Sequence, residues 1–523
     1  MNFLNTFFFL ILLFFLNKKF RKITKNFFSN KYFFKINNFF ILFIILNICF
    51  LVIFATKYLI SDFYLDHVEP QIATVSWFFE YGKEIYNKTT DYERYSLIFG
   101  PITYYSNYIA MKFLGASIIS SKVVSFLFLN LTLLISYLTV LKITKNTKFS
   151  LFLTGFISMI FLSTVAAPLR ISNDSLAYFL ISLSLYFCTY KEYSLNKIIF
   201  FSISLILLIN IKPNLILAIL PSFFYLYLKN EQKIKDILLA TLISLTFFFF
   251  IWSSDYFSIV NYISWIKVIS QSEYQNGFNL NMFLKNISFS LIWIIPLIII
   301  NYEDSKKINY SEKLFFFILI FSSIILSLTG SRDGGGTAEL FSLTLPAVFL
   351  FSQSYKRKTF ILNKELVGFH FSLLILLTIV FLHSSTKGLL KKVKFLNNNN
   401  YSYHIDELKE ILSDYKYKSI NMGYGSNYNS YLISYLRPIL TFNNKNFVLD
   451  VPHLIVTTHS VPLKEEFLKN CYNQVYVFTK NDEPFSSKYW EREIFNKKFI
   501  NNFKENFYKQ KTYNFFETWT CKK

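Results

Sequence analysis

Residues 64–86 read YLDHVEPQIATVSWFFEYGKEIY and follow directly on an apolar run that ends near residue 60. Asp66, His67 and Glu69 therefore stand a few residues from the end of a segment long enough to cross a ~30 Å hydrocarbon layer. Pro70 suits the first turn of a helix, where its missing N–H is not needed. QIATVSWFFEYG then offers an aromatic face at Trp77, Phe78 and Tyr81, as a helix lying in a membrane interface would. Acids have no lipid-packing role at such a mouth, so Asp66 and Glu69 call for a chemical reading.

The rest of the chain supplies the context. Of 523 residues, 53% are hydrophobic and 64 are phenylalanine, above the roughly 45–50% apolar content of soluble domains. Eleven apolar segments of spanning character lie near 38–60, 120–141, 149–167, 175–190, 198–211, 213–228, 237–253, 286–301, 314–329, 339–354 and 366–384. Residues 3–16 are a further apolar stretch, either a signal-like segment, a twelfth helix or an interfacial one. The net charge of +22 comes from short basic clusters between the apolar runs, a positive-inside pattern that excludes a nucleic-acid groove. If segment 38–60 starts inside, the inside loops hold 22 Lys and Arg in 65 residues, and the outside loops hold 9 in 111.

The sequence therefore divides into an N-terminal segment, 1–37, basic and cytoplasmic from 17; a transmembrane domain, 38–384, with one long external loop at 61–119; and a soluble region, 385–523, placed outside by the odd number of crossings. In that last region SINMGYG, HLIVTTH and QVYVFTK alternate as strands do, and HIDELKEILSDY has helical spacing, so a small α/β domain is expected. Its two cysteines, Cys471 and Cys521, share an oxidising compartment and are expected to pair. GYGSNYNSY (423–431) and KNDEPF (480–485) carry the Tyr and Asn side chains that suit contact with a glycan, or else form a structural cap.

A carboxylate just after the first span, an alanine-containing helix, GKEIY (82–86), FGPITYY (99–105) and KFLG (112–115) together resemble the first external loop of the GT-C superfamily. These are integral-membrane glycosyltransferases that use polyprenyl-phosphate sugars, the aminoarabinose and protein-mannosyl transferases among them. PLRISNDSLAYFLISLSLYF (168–187), LLINIKPNLILAILP (207–221) and TGSRDGGGTAELFSLTLPAVFLF (329–351) are similar to later external turns of that family, in order and in sidedness. The resemblance implies a polytopic α-helical membrane fold of about 11–12 helices in the inner or plasma membrane of a bacterium-like cell. It also implies a sugar donor on a polyprenyl phosphate, a lipid, glycan or protein acceptor, and a loop carboxylate acting as general base.

Asp66 and Glu69 are the candidates for that base, standing 16 and 13 residues before Gly82. Arg170, Lys212 and Arg332 all fall in external turns, where they would stabilise the phosphate that departs, and Asp174 matches the family's Arg-x-x-x-Asp turn. Tyr104 belongs to the aromatic-Pro element that borders the lipid-linked donor in the family. Each has a plain structural alternative: Arg170 paired with Asp174 as an i, i+4 couple, Arg332 paired with Asp333, and Lys212 reaching the headgroups. Gly334, Gly335 and Gly336 would let backbone N–H groups approach a phosphate, or form a plain turn. No metal or other cofactor is required for this leaving group. His67 beside the two acids is the weaker alternative, a set suited to zinc or manganese. A lipid-linked glycan ligase or polymerase and a transporter or flippase are the competing classes. The former usually carries its large loop late, and the latter needs charges along a central path.

Overall fold

The computed structural model describes residues 31–66, 68–91, 93, 95, 99–163, 168–190, 194–229, 234–271, 278–302, 308–332, 337–361, 390, 393–394, 401–425, 430–443, 468, 471–489 and 492–522. The expectations for residues 3–16, His67, Asp333 to Gly336, the span at 366–384 and the HLIVTTH strand lie outside these residues.

Helices occur at ten of the eleven expected spans. They are α1 (Lys31–Leu59), α4 (Ile118–Thr144), α5 (Thr147–Leu162), α6 (Asp174–Phe187), α7 (Leu195–Ile209), α8 (Ile216–Lys229), α9 (Ile234–Trp252), α11 (Leu280–Tyr302), α12 (Tyr310–Thr329) and α13 (Thr344–Ile361). Between them lie the loop helices α2 (Val68–Trp77), α3 (Pro101–Leu114) and α10 (Ile259–Gln271). Among the described residues two helices, α4 and α12, are long and apolar enough to cross a membrane by length and composition alone, and six apolar helices are shorter. Apolar side chains also lie bare on the outside, among them Leu238, Leu242, Phe249, Phe250 and Phe317, each more than 60% exposed. The expected 339–354 span begins differently: residues Thr337–Leu343 form a 3-10 turn, and α13 starts only at Thr344, with Pro346 tolerated in its first turn.

Local signals set the helix starts. Ser117 and Ser120 form a reciprocal capping box ahead of α4, and the Asn146 side chain accepts the Phe149 N–H at the start of α5. Gly100 and Pro101 open α3. A side chain on Gly100 would collide with the backbone carbonyl of Asn210, so the loop docks on the 210–212 turn through Gly100 N–H to Ile211 O (3.0 Å) and Ile102 N–H to Asn210 O (3.1 Å). Gly82 closes the turn after α2 at φ 66°, a left-handed conformation that suits glycine.

The C-terminal region is the expected α/β unit. Helix α14 (Ser402–Asp414) and strand β1 (Ser419–Met422) are followed by α15 (Ser430–Phe442), β2 (Gln474–Thr479), a short β3–β4 hairpin (488–489 and 492–493), α16 (Lys497–Asn506), β5 (Phe507–Thr512) and β6 (Phe516–Cys521). The four-stranded sheet has the order β1-β2-β6-β5, with β1 and β2 parallel and the other pairs antiparallel. A disulfide joins Cys471 to Cys521, their Cα atoms 5.4 Å apart. In the first stretch singled out for glycan contact, residues 423–425 are buried, whereas in the second Asp482 and Phe485 turn inward and Lys480, Asn481 and Glu483 stay exposed.

This unit sits on the first loop. Helix α15 packs on α2, the Tyr81 hydroxyl donates to Thr441 O (2.5 Å), and Trp77 meets Phe442 edge-on at 5.9 Å. The aromatic face expected to lie in the lipid interface is therefore covered by protein. Phe78 and Phe79 are buried in a cluster with Tyr64, Tyr86, Tyr95, Tyr104 and Phe257.

Candidate functional site

Three turns meet at one end of the helices: residues 60–69 after α1, residues 168–173 before α6, and residues 210–215 before α8. Each is held by side chains that sequence spacing does not reveal. Lys122, in the first turns of α4, is only 1% exposed and donates through Nζ to Ser61 O (2.7 Å), Phe63 O (2.7 Å) and Tyr58 O (3.1 Å). It gathers carbonyls at the C-terminal end of α1, where a cation is favoured by the helix dipole. The 168–173 turn is tied down by Ser125 Oγ donating to Arg170 O (2.7 Å), by Asn107 Nδ2 donating to Ile171 O (3.0 Å), and by Asn173 Nδ2 donating to Thr103 O (3.0 Å).

Asp66 lies at the mouth. Its Oδ1 accepts the Val68 N–H (2.7 Å), a local turn that starts α2, and its Oδ2 is 3.0 Å from Arg170 Nε. The Asp66 side chain is 16% exposed and that of Arg170 34%. Despite its closeness to Asp66, Arg170 Nε makes no directed hydrogen bond, and among the described residues none is seen from its two terminal nitrogens, so the guanidinium is held by charge and its terminal edge is open. Burial works against the Arg170 charge, but Asp66, Asp174 and Glu69 around it more than offset this and raise its pKa.

Asp174 and Lys212 form a second pair, joined through Oδ1 and Nζ, with Ser172 Oγ donating to Asp174 Oδ2 (2.9 Å). Arg170 therefore does not pair with Asp174. Asn173 adopts the left-handed region (φ 58°) and α6 begins only at Asp174, so Arg170 is outside the helix and the i, i+4 geometry never forms. Lys212 also lies 5.2 Å from the centre of the Phe99 ring. Beside it, Asn214 Nδ2 donates to Glu339 Oε2 (2.5 Å), which brings in the 3-10 turn before α13. Lys122, Asn214 and Glu339 were not singled out from the sequence; the available signal was polar residues at the heads of apolar segments.

Glu69 is placed quite differently from Asp66. It is 0% exposed, and its carboxylate accepts from Tyr58 Oη (2.7 Å), Ile171 N (3.1 Å), Leu65 N (2.6 Å) and Asp66 N (3.0 Å). Burial first, and the neighbouring Asp66 second, push its pKa up to about 7. With no surface, it cannot meet an acceptor hydroxyl directly, which separates it from Asp66 as a candidate base. Tyr104 is likewise 0% exposed, its ring 6.1 Å from that of Tyr86, and so shapes the loop core rather than presenting a surface to a donor. Arg332 is exposed, its backbone bridged to Phe278, and among the described residues no ion pair ties it to the other two cations. What the structure does bring together is one partly exposed carboxylate, one half-open guanidinium and one ammonium.

No protein-family model matches the chain, and no curated protein matches it. Solved structures do. ArnT from Cupriavidus metallidurans bound to undecaprenyl phosphate superposes with a TM-score of 0.54 at 10% identity, over 91% of this chain and 97% of that one. The same protein in the apo state gives a TM-score of 0.54 at 12% identity over the same shares. The chain thus shares the fold of these ArnT structures over nearly its whole length.

Proposed function

We propose that the chain is a membrane glycosyltransferase that moves a sugar from a polyprenyl-phosphate donor to an acceptor hydroxyl. The observation that carries this reading is the Asp66–Arg170 pair with Lys212 nearby, on a fold whose solved counterpart holds undecaprenyl phosphate. The apolar belt exposed along α9 and α12 supports a bilayer setting. The distribution of Lys and Arg supports placing the site and residues 385–523 on the external side.

In the reaction, the acceptor oxygen attacks the anomeric carbon and the bond from that carbon to the phosphate oxygen breaks, its electron pair leaving with the polyprenyl phosphate. Asp66 takes the hydroxyl proton. The two open donors of Arg170 fit two phosphate oxygens as a fork, and Lys212 adds a point charge, so both oppose the negative charge that grows on the leaving group. Arg332, on an exposed turn, is a further phosphate ligand if the donor headgroup reaches it. The chemistry needs no metal.

The test is transfer of labelled sugar from polyprenyl-phosphate donors to an envelope-lipid extract by purified protein, with Arg170→Ala alongside. Transfer by the wild type, together with a donor Kd at least ~10-fold weaker in Arg170→Ala, supports the reading. Wild-type protein that neither binds polyprenyl phosphate nor transfers sugar refutes it.

A further inference from the structure

Glu69 is the only side chain seen to bond to the backbone on both sides of the Asp66–Arg170 pair, among the described residues. Its Oε2 accepts the N–H of Asp66 itself and that of Leu65, while its Oε1 accepts the N–H of Ile171, the residue next to Arg170. These two segments are more than a hundred residues apart in the chain. The fourth bond, from the Tyr58 hydroxyl, ties the same carboxylate to the end of α1. Lys122 completes the frame from the other side by holding the carbonyls of Tyr58, Ser61 and Phe63.

We propose that Glu69 is a positioning residue whose two oxygens hold the backbones of Asp66 and Arg170 in register, and so set the distance between the base and the phosphate-binding fork. The inference rests on the function proposed above and assigns Glu69 a part distinct from proton transfer. Four donors converge on two oxygens, which is the full acceptor capacity of a carboxylate and twice that of an amide oxygen. Glu69→Gln keeps the shape but turns an –NH2 toward one pair of those donors. Either the Leu65–Asp66 turn or the Ile171 turn loses its acceptor, and the two halves of the ion pair drift apart. A shift of about 1 Å at reacting groups can lower a rate by ~10²-fold.

The experiment compares wild type, Asp66→Asn, Glu69→Gln and the double variant in labelled-sugar transfer, donor binding and hydrogen exchange. Glu69→Gln should lower kcat by ~10- to 100-fold and leave donor Kd within about threefold. In the double variant the Glu69 change should have no further effect, because Glu69 acts through Asp66. Peptides containing Leu65–Asp66 and Ile171 should both exchange faster in Glu69→Gln. Multiplying penalties in the double variant, an unchanged kcat in Glu69→Gln, or unchanged exchange at Ile171 would each overturn the proposal. If the wild type transfers nothing, the assigned reaction falls, while the exchange result still decides whether Glu69 couples the two turns. Should Glu69→Gln fail to accumulate, Tyr58→Phe removes one of the four donors and should lower kcat by a few fold, with no effect in the Asp66→Asn background.

Discussion

Replacing Asp66 by Asn separates proton transfer from structure at the mouth of α2. An Asn oxygen can still accept the Val68 N–H that starts the helix, since Asn and Asp form the same local turn. The change should therefore alter folding stability by no more than about 1 kcal/mol. What it removes is the negative charge 3.0 Å from Arg170 Nε and the ability to take a proton. A general base contributes typically ~10²–10⁴-fold, or ~3–5 kcal/mol of barrier, and kcat should fall by that factor. Donor binding should hold or tighten, because Arg170 loses its internal partner and its whole guanidinium becomes available to phosphate. The assay is single-turnover transfer of labelled sugar, run beside donor-binding titration and thermal unfolding in detergent. Activity within threefold of wild type would refute the role of Asp66, and so would a loss of rate that merely follows a lowered melting temperature.

Lys212→Met leaves Asp174, itself 4% exposed, as a buried charge without its partner, and should destabilise the protein by about 3–5 kcal/mol. The double change with Asp174→Asn should recover most of the lost melting temperature while donor binding stays weak. Glu69, with its pKa pushed up to about 7, binds its proton more tightly in the folded chain than at its ordinary value of 4.5, so the resulting stability is full below ~4.5 and is lost as pH rises through ~7. Tyr58, Asp66, Lys122 and Arg170 face this group, and thermal unfolding from pH 5 to 7 should show a decline that is absent in Glu69→Gln. Cys471→Ser should lower the stability of the C-terminal unit by about 4 kcal/mol, as expected for opening a loop of sequence separation 50, and mild reduction of the wild type should reproduce it.

The helical frame was legible because apolar runs must pack or face lipid over their whole length, so each reports its own position: α4, α7, α8, α9 and α12 fall within a few residues of the stretches read from hydropathy. The C-terminal strands β1 and β2 were legible from alternation, whereas β5, FYKQKT, is exposed on nearly every position and carries no alternating signal. The site was legible only in part. The sequence placed Asp66, Glu69, Arg170 and Lys212 on one side of the frame, but not which cation pairs with which acid. That choice is made by tertiary contacts: Asn173 turning left-handed frees Arg170 from Asp174, and docking of Gly100 on Asn210 fixes the turn that delivers Lys212.

The two acids were equivalent by spacing, and burial is what divides them. A carboxylate three residues further along lands beneath α1, α4 and the 168–173 turn, where no solvent reaches it and four donors do. An exposed base can be moved by its surroundings, so its geometry must be imposed from outside its own side chain. A buried acid bonded to both flanking backbones imposes it. The sequence pattern D-x-x-E at this mouth is thus read best as one group for the chemistry and one for its alignment, with Lys122 balancing the charge that the second brings into the interior.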